Sequence, residues 1–348
     1  MVIIMQAGAP EGEVEAVIQA VEQAGFRPFV NPGVERKVIA LLGAMDAEKA
    51  ELADHFSALP GVERVTLISE PYKLASRRTH PDPSIVQVGP VSIGSEQLAV
   101  IAGPCSVESR QQMLQTASAV KAAGASLLRG GAFKPRTSPY SFQGLGLEGL
   151  EILAEARRVT GLPIVTEVLD PGDLGTIVKY ADVIQVGARN MQNFRLLQDV
   201  GRTGKPVLLK RNPGCRIRDL LMASEYVMLE GNLNVVLCER GITTFEDATR
   251  YTMDVNAIPV IKRLSHLPVV ADPSHAAGDW RYVTAIALSA IAAGADGLMV
   301  EVHPDPAVAL SDGPQSLRPD KFAELMSAAA RVAAAVGRRM AAPANPGG

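Results

Sequence analysis

The first 70 residues alternate between short apolar runs and stretches with apolar positions at helical spacing. "MVIIMQ" reads as a strand, and "EGEVEAVIQAVEQAG" as a helix ending at Gly25. "RPFVNPG" and "RKVIALLGA" read as two strands around an Asn-Pro-Gly turn. "AEKAELADHFSALPG" reads as a second helix and "VERVTLIS" as a last strand. The order βαββαβ is that of a ferredoxin-like split unit, assigned to residues 1–70. The Pro-, Arg- and His-rich stretch that follows reads as a linker over 71–84.

From residue 85 the rhythm changes. A short hairpin, "IVQVGPVSIGSEQ", precedes eight apolar runs: "LAVIAGPC", "ASLLRGGAF", "PIVTEVLD", "VIQVGAR", "PVLLKRN", "VVLCERG", "PVVADPSH" and "GLMVEVHPD". Amphipathic stretches such as "SRQQMLQTASAVKAAG" separate them, and "KFAELMSAAARVAAAVG" ends the series. The runs are near-continuously apolar, as parallel strands covered on both faces must be. Eight strand–helix repeats predict a (β/α)8 barrel over residues 85–340. The predicted fold class is therefore α/β, a TIM barrel preceded by a small βαββαβ domain.

Composition narrows the function classes. A net charge of −3 gives no sign of a nucleic-acid or membrane-surface partner. Three cysteines cannot all pair, and a chain of 348 residues buries a core without disulfides, so a reducing compartment is expected. The N-terminus lacks a basic n-region, and no apolar stretch reaches the ~20 residues of a membrane span. The expected location is cytoplasmic.

In such barrels the chemistry sits at the C-terminal ends of the strands. Here those ends carry Cys105, Arg129, Glu167, Arg189, Lys210, Arg240, His275 and Glu301. One polar tip is ordinary; eight converging on one mouth are not. Cys105, His275 and Glu301, with Asp312 in "ALSDGPQS", offer sulfur, nitrogen and oxygen ligands suited to a divalent transition ion. The turn at Gly103-Pro104 would aim the Cys105 thiolate into the mouth. His303 is a competing imidazole but reads as a loop residue, since one His already completes four ligands. Cys238 lies within its strand and reads as core; Cys215 follows Pro213-Gly214 in a loop. Arg129, Lys134, Arg136, Arg189, Lys210 and Arg240 give the mouth a concentrated positive charge suited to phosphate and carboxylate. "GLGLEG", residues 144–149, matches a dinucleotide-binding pattern, but "KPRTSPYSFQ" separates it from the preceding strand, where such a motif begins directly.

Seven segments carry a resemblance. "AGPCSVES", "LRGGAFKPRTSPYSFQG", "QVGARNMQNF", "LLKRNPG", "LCERG", "DPSHAAG" and "MVEVHPDPAVALSDGPQSL" are similar, in order, to type I-beta 3-deoxy-D-arabino-heptulosonate-7-phosphate (DAHP) synthases. The likeness spans about residues 85–335, and the N-terminal module resembles the regulatory domain of some members. It implies condensation of phosphoenolpyruvate (PEP) with erythrose 4-phosphate to give DAHP and phosphate, the first step of the shikimate pathway. It implies Cys105, His275, Glu301 and Asp312 as metal ligands, with Mn²⁺ expected and Fe²⁺, Co²⁺ or Zn²⁺ as alternatives. It implies Arg129, Lys134, Arg189, Lys210 and Arg240 for PEP, and Arg136 and Thr137 for the sugar phosphate. Lys134 is the candidate proton donor and Glu167 the candidate water-orienting group. A homodimer or homotetramer and a tyrosine or phenylalanine effector are further implications. The rivals are a 3-deoxy-D-manno-octulosonate-8-phosphate (KDO8P) synthase acting on arabinose 5-phosphate, a Schiff-base aldolase using Lys210, and a non-catalytic phosphosugar binder. "KPRTS" favours the first assignment over KDO8P synthesis.

Overall fold

The computed structural model describes residues 1–31, 37–42, 49–66, 71–134, 138 and 140–341. The chain divides into two compact units. One comprises Met1–Pro83 with Leu264–His266, the other Ser84–Arg263 with Leu267–Gly348.

The first unit runs β1 (Val2–Met5), α1 (Glu11–Gln23), β2 (Arg27–Asn31), β3 (Val38–Leu42), α2 (Lys49–Ser57) and β4 (Val62–Thr66). The strands form an antiparallel sheet in the order β2-β3-β1-β4, the ferredoxin-like arrangement expected from the pattern. Helix α1 buries Val14, Val17 and Val21, spaced three and four apart, so one stripe faces the sheet. That stripe packs with Ile3, Met5, Ile39, Leu41 and Phe56 in a single core. The chain leaves α1 through Gly25 at φ +83°, a conformation that L side chains resist. Pro32 and Gly33 of the expected turn lie outside the described residues.

The second unit opens with a hairpin, β5 (Val86–Val88) and β6 (Val91–Ile93). Eight parallel strands follow: β7 (Gln97–Gly103), β8 (Leu127–Arg129), β9 (Ile164–Val168), β10 (Val183–Val186), β11 (Val207–Lys210), β12 (Val235–Glu239), β13 (Val269–Ala271) and β14 (Gly297–Glu301). Each pairs with the next, and β14 returns to β7 in the register Gly297↔Ala99 to Glu301↔Gly103. The barrel is thus closed, with no free edge. The connecting helices are α3 (Arg110–Ala122), α4 (Leu147–Thr160), α5 (Pro171–Tyr180), α6 (Phe194–Arg202), α7 (Ile217–Met228), α8 (Ala257–Leu264), the short α9 (Pro273–Ala277), α10 (Trp280–Ala292) and α11 (Pro319–Ala335).

The hairpin has a specific place. Val86, Val88, Val91 and Ile93 share one buried cluster with inward residues of all eight strands, among them Ala99, Leu127, Val165 and Met299. Gly89 and Gly94 lie against Pro163 and Pro268, which precede β9 and β13. The hairpin therefore closes the N-terminal end, and the opposite end is left for chemistry. Cys238 belongs to the same interior cluster, as its strand position implied. A two-residue strand, β15 (Arg339–Met340), adds to β7 beside Gln97 and Leu98. It is too short to leave a pattern in the sequence. Among the described residues, no helix is long and apolar enough to cross a membrane.

Candidate active site

Cys105 follows the last residue of β7 by two positions and is buried. Gly103 makes that placement possible. Its φ is +151°, and a Cβ there would stand 2.2 Å from the carbonyl oxygen of Arg129. The Cys105 Sγ lies 3.0 Å from Ser311 Oγ and 3.1 Å from Asp312 Oδ2. Glu301 ends β14 and is fully buried. Asp312, at φ 53°, is the one non-glycine residue with positive φ among those described. Left-handed backbone of this kind collects at functional sites, where the surroundings over-determine it.

Ligand atoms of Cys105, Glu301 and Asp312 lie within 4.8 Å of one another. His275, on α9, completes the group: its Nε2 is 3.6 Å from Glu301 Oε1 and 3.9 Å from Asp312 Oδ2. The three residues named from the strand ends and Asp312 from its loop are therefore together. Burial pushes the Cys105 thiol up to about 12, with Lys134 opposing. Burial also pulls the His275 imidazole down, toward the neutral form that ligates metals, while Asp272 pulls the other way. Glu301 Oε1 is buried and has no hydrogen-bond partner among the described residues. Its buried charge is faced by Arg129 Nη1 at 3.0 Å, and without a hydrogen bond the oxygen keeps a lone pair for a metal cation. The donor set, with this oxygen making no hydrogen bond, fits a divalent transition ion.

Above the cluster lies a cavity of about 720 Å³. Arg129, Lys134, Glu167, Arg189, Lys210 and Arg240 all line it, as do His275 and Asp312. Four of its cations, Arg129, Lys134, Lys210 and Arg240, are at most 7% exposed. Buried cations at that density need anions. Arg129 Nη1 is 3.0 Å from Glu301 Oε1, yet neither Nη1 nor Nε makes a hydrogen bond with a described residue. Donors are thus left for a ligand. Lys134 Nζ donates to the Cys105 carbonyl at 2.9 Å. Arg240 lies over the Tyr251 ring at 4.4 Å. Glu167 reaches the cavity because residue 187 is glycine: a Cβ there would sit 1.9 Å from Glu167 Oε1. Arg136 and Thr137 lie outside the described residues.

Three contributors escaped the sequence reading. Asp272 Oδ2 accepts from Lys210 Nζ and lies 2.8 Å from His275 Nδ1, while its Oδ1 caps α9 through the His275 amide. Gln315 donates from Nε2 to Glu301 Oε2. Arg250 donates to Gln315 Oε1 and faces Asp312. His303 turns away from the cluster and meets Glu108, 3.2 Å from Nε2 to Oε2. Cys215 is only part-buried, and its carbonyl accepts from Arg211 Nε. The "GLGLEG" glycines serve packing and backbone geometry: a Cβ at Gly144 would stand 2.1 Å from the Ala132 carbonyl, and Gly146 precedes α4 at φ +59°.

A closed parallel barrel with cations and a thiol, imidazole and carboxylate cluster at its open end defines an enzyme acting on phosphorylated or carboxylated small molecules. The chain belongs to the DAHP synthetase I family, whose model matches residues 76–336; residues 1–70 match the DAHP synthase ferredoxin-like domain. It is 46% identical over 337 residues to the phospho-2-dehydro-3-deoxyheptonate aldolase of Thermotoga maritima, covering 97% of this chain and 99% of that one. The crystal structure of the Thermotoga maritima enzyme superposes with a TM-score of 0.77 at 44% identity, covering 98% of both chains. A truncated form of that organism's 3-deoxy-D-arabino-heptulosonate 7-phosphate synthase matches 78% of this chain with a TM-score of 0.73. The 2-dehydro-3-deoxyphosphooctonate aldolase of Syntrophobacter fumaroxidans is 36% identical over 253 residues, covering 68% of this chain.

Proposed function

We infer that the chain is a DAHP synthase, joining PEP to erythrose 4-phosphate with release of phosphate. The observation that carries this reading is the ligand cluster set directly beneath a cation-lined cavity. The full-length likeness to a phospho-2-dehydro-3-deoxyheptonate aldolase supports the same substrates.

The division of labour follows from charge and position. Arg129, Lys134, Arg189, Lys210 and Arg240 hold the phosphate and carboxylate of PEP, leaving its methylene turned toward the sugar. Arg136 and Thr137 hold the phosphate of erythrose 4-phosphate. Cys105, His275, Glu301 and Asp312 would hold the divalent ion, for which Mn²⁺ is the proposed species. Such an ion, when bound, supplies Lewis acidity toward the aldehyde oxygen. The PEP methylene forms a carbon–carbon bond to the aldehyde carbon, and the aldehyde oxygen takes a proton from Lys134. Positive charge then develops at C2 of the former PEP. Glu167 orients the water that adds there. The added water gives up one proton, which restores Lys134 through solvent; the C2–O bond to phosphate then breaks, phosphate departs with the remaining hydroxyl proton, and the ketone of DAHP remains. Lys210 donates to Asp272, which suits a cation holding an anion rather than a Schiff-base nucleophile.

Residues 1–70 are proposed as a regulatory module for tyrosine or phenylalanine, joined through 71–84 to a catalytic barrel over 85–340. A homodimer or homotetramer in the cytoplasm completes the reading. The test is PEP consumption with erythrose 4-phosphate against arabinose 5-phosphate. A DAHP synthase uses the first and neglects the second; preference for the second would make it a KDO8P synthase.

A further inference from the structure

Glu301 and Asp312 each have two oxygens, and the structure uses them differently. Gln315 is buried, at 2% exposure, and its two amide atoms are both engaged. Its Oε1 accepts from Arg250 Nη1 at 2.9 Å, and its Nε2 donates to Glu301 Oε2 at 2.5 Å. An arginine only donates, so the amide has one orientation: oxygen toward Arg250, nitrogen toward Glu301. Glu301 Oε2 is therefore spent, while Oε1, which makes no hydrogen bond with a described residue, faces Arg129 Nη1 at 3.0 Å and His275 Nε2 at 3.6 Å. Asp312 repeats the division. Its Oδ1 stands 3.4 Å from Arg250 Nη1, and its Oδ2 faces the Cys105 thiol.

We propose that Gln315, held in orientation by Arg250, is a positioning residue that makes Glu301 present a single oxygen to the ion. The inference rests on the metal reading of the cluster. Neither side chain touches the ligand cluster except through the carboxylate oxygen turned away from it. Their effect is on which oxygen is offered. Removing the amide frees Glu301 Oε2 to rotate toward the ion or to seek another donor. Partners of this outer kind typically contribute 10- to 100-fold in metal affinity.

The probe is Co²⁺, added to the full-length protein after chelation and dialysis, with affinity read by chelator competition and coordination by absorption. Wild type is expected to show a thiolate-to-cobalt band and strong ligand-field absorption. Gln315→Met keeps length and burial but removes the donor and the acceptor. It is expected to bind Co²⁺ ~10- to 100-fold more weakly, with weakened ligand-field bands as a second carboxylate oxygen enters. Arg250→Met, at the more exposed end of the pair, is expected to shift both readouts in the same direction by less. It carries the test if Gln315→Met does not fold. A folded Gln315→Met, or in its place Arg250→Met, with wild-type affinity and spectrum would overturn the inference alone. Wild type without a thiolate-to-cobalt band would overturn the metal reading and the inference with it.

Discussion

His275 Nδ1 lies 2.8 Å from Asp272 Oδ2, and the same carboxylate oxygen accepts from Lys210 Nζ. One buried acid thus steers an imidazole of the ligand cluster and a cation of the cavity. Opposing burial, the neighbouring His275 and Lys210 hold the Asp272 carboxyl well below the usual carboxylate range. Orienting a ligating imidazole through its second nitrogen is a recurrent device in metal sites.

Asp272→Asn separates charge from shape. Asparagine caps a helix start as well as aspartate does, so α9 should persist. Without the carboxylate, His275 and Lys210 lose their common anchor. Metal affinity is expected to fall ~10- to 100-fold, and the KM for PEP to rise with it. Chelator competition and initial-rate kinetics read both. A variant with unchanged metal affinity would show that Asp272 acts only as a cap.

Arg136→Ala tests the sugar site. Losing one charge-assisted phosphate pair costs on the order of 2–3 kcal/mol, or ~30- to 150-fold. The KM for erythrose 4-phosphate should rise by that factor while that for PEP moves little. An equal rise in both would place Arg136 elsewhere in the cycle.

The barrel was legible because its strands are buried on both faces, so near-continuous apolar runs such as "LAVIAG" stand out from amphipathic helices. Cys105, His275 and Glu301 were legible as candidates because they sit at or just past the ends of those runs, whereas Asp312 lies in the loop after β14. Asp272 was harder. In "DPSH" it reads equally as a cap before Pro273, and nothing in the spacing shows that its second oxygen faces inward. Arg250 lies in the loop between β12 and α8, where no periodicity marks direction. Gln315 is a neutral amide, conspicuous only once Glu301 is seen beside it. His303 shows the reverse: two residues beyond Glu301, it would share its face in a continuing strand. The strand ends at Glu301, Val302 bridges to Leu317, and His303 swings to Glu108.

His266 gives the first unit a pH dependence. It is buried, and its Nε2 donates to the Leu74 carbonyl at 2.7 Å while the ring stacks on His80 at 4.3 Å. Burial, aided by His80 and Arg77, pushes its pKa down to about 3 from 6.5. Between those values the unfolded chain binds a proton that the folded one refuses. The stabilisation is complete above pH 6.5 and is lost as pH falls, by about 2 kcal/mol between pH 7 and 5. Urea midpoints across that range should therefore fall more steeply for wild type than for His266→Gln. Parallel profiles would remove His266 from the account.

Deleting residues 1–75 tests the regulatory module. None of the cavity or cluster residues lies there, so the truncated enzyme should retain activity. Full-length enzyme should be inhibited by millimolar tyrosine or phenylalanine, and the truncated form should ignore both. A 10- to 100-fold inhibition needs only ~1.4–2.7 kcal/mol of coupling. A full-length enzyme indifferent to both amino acids would leave the module without this role.

The central claim is that the cluster of Cys105, His275, Glu301 and Asp312 holds a metal on which joining PEP to erythrose 4-phosphate depends. The direct measurement is phosphate release from PEP, with and without erythrose 4-phosphate, before and after exhaustive chelation, for wild type and Cys105→Ser. Wild type should release phosphate only when the sugar is present, stop on chelation and recover with Mn²⁺. Cys105→Ser should stay folded, bind Mn²⁺ poorly and recover little. Full, sugar-dependent activity in thoroughly chelated wild type would contradict the claim.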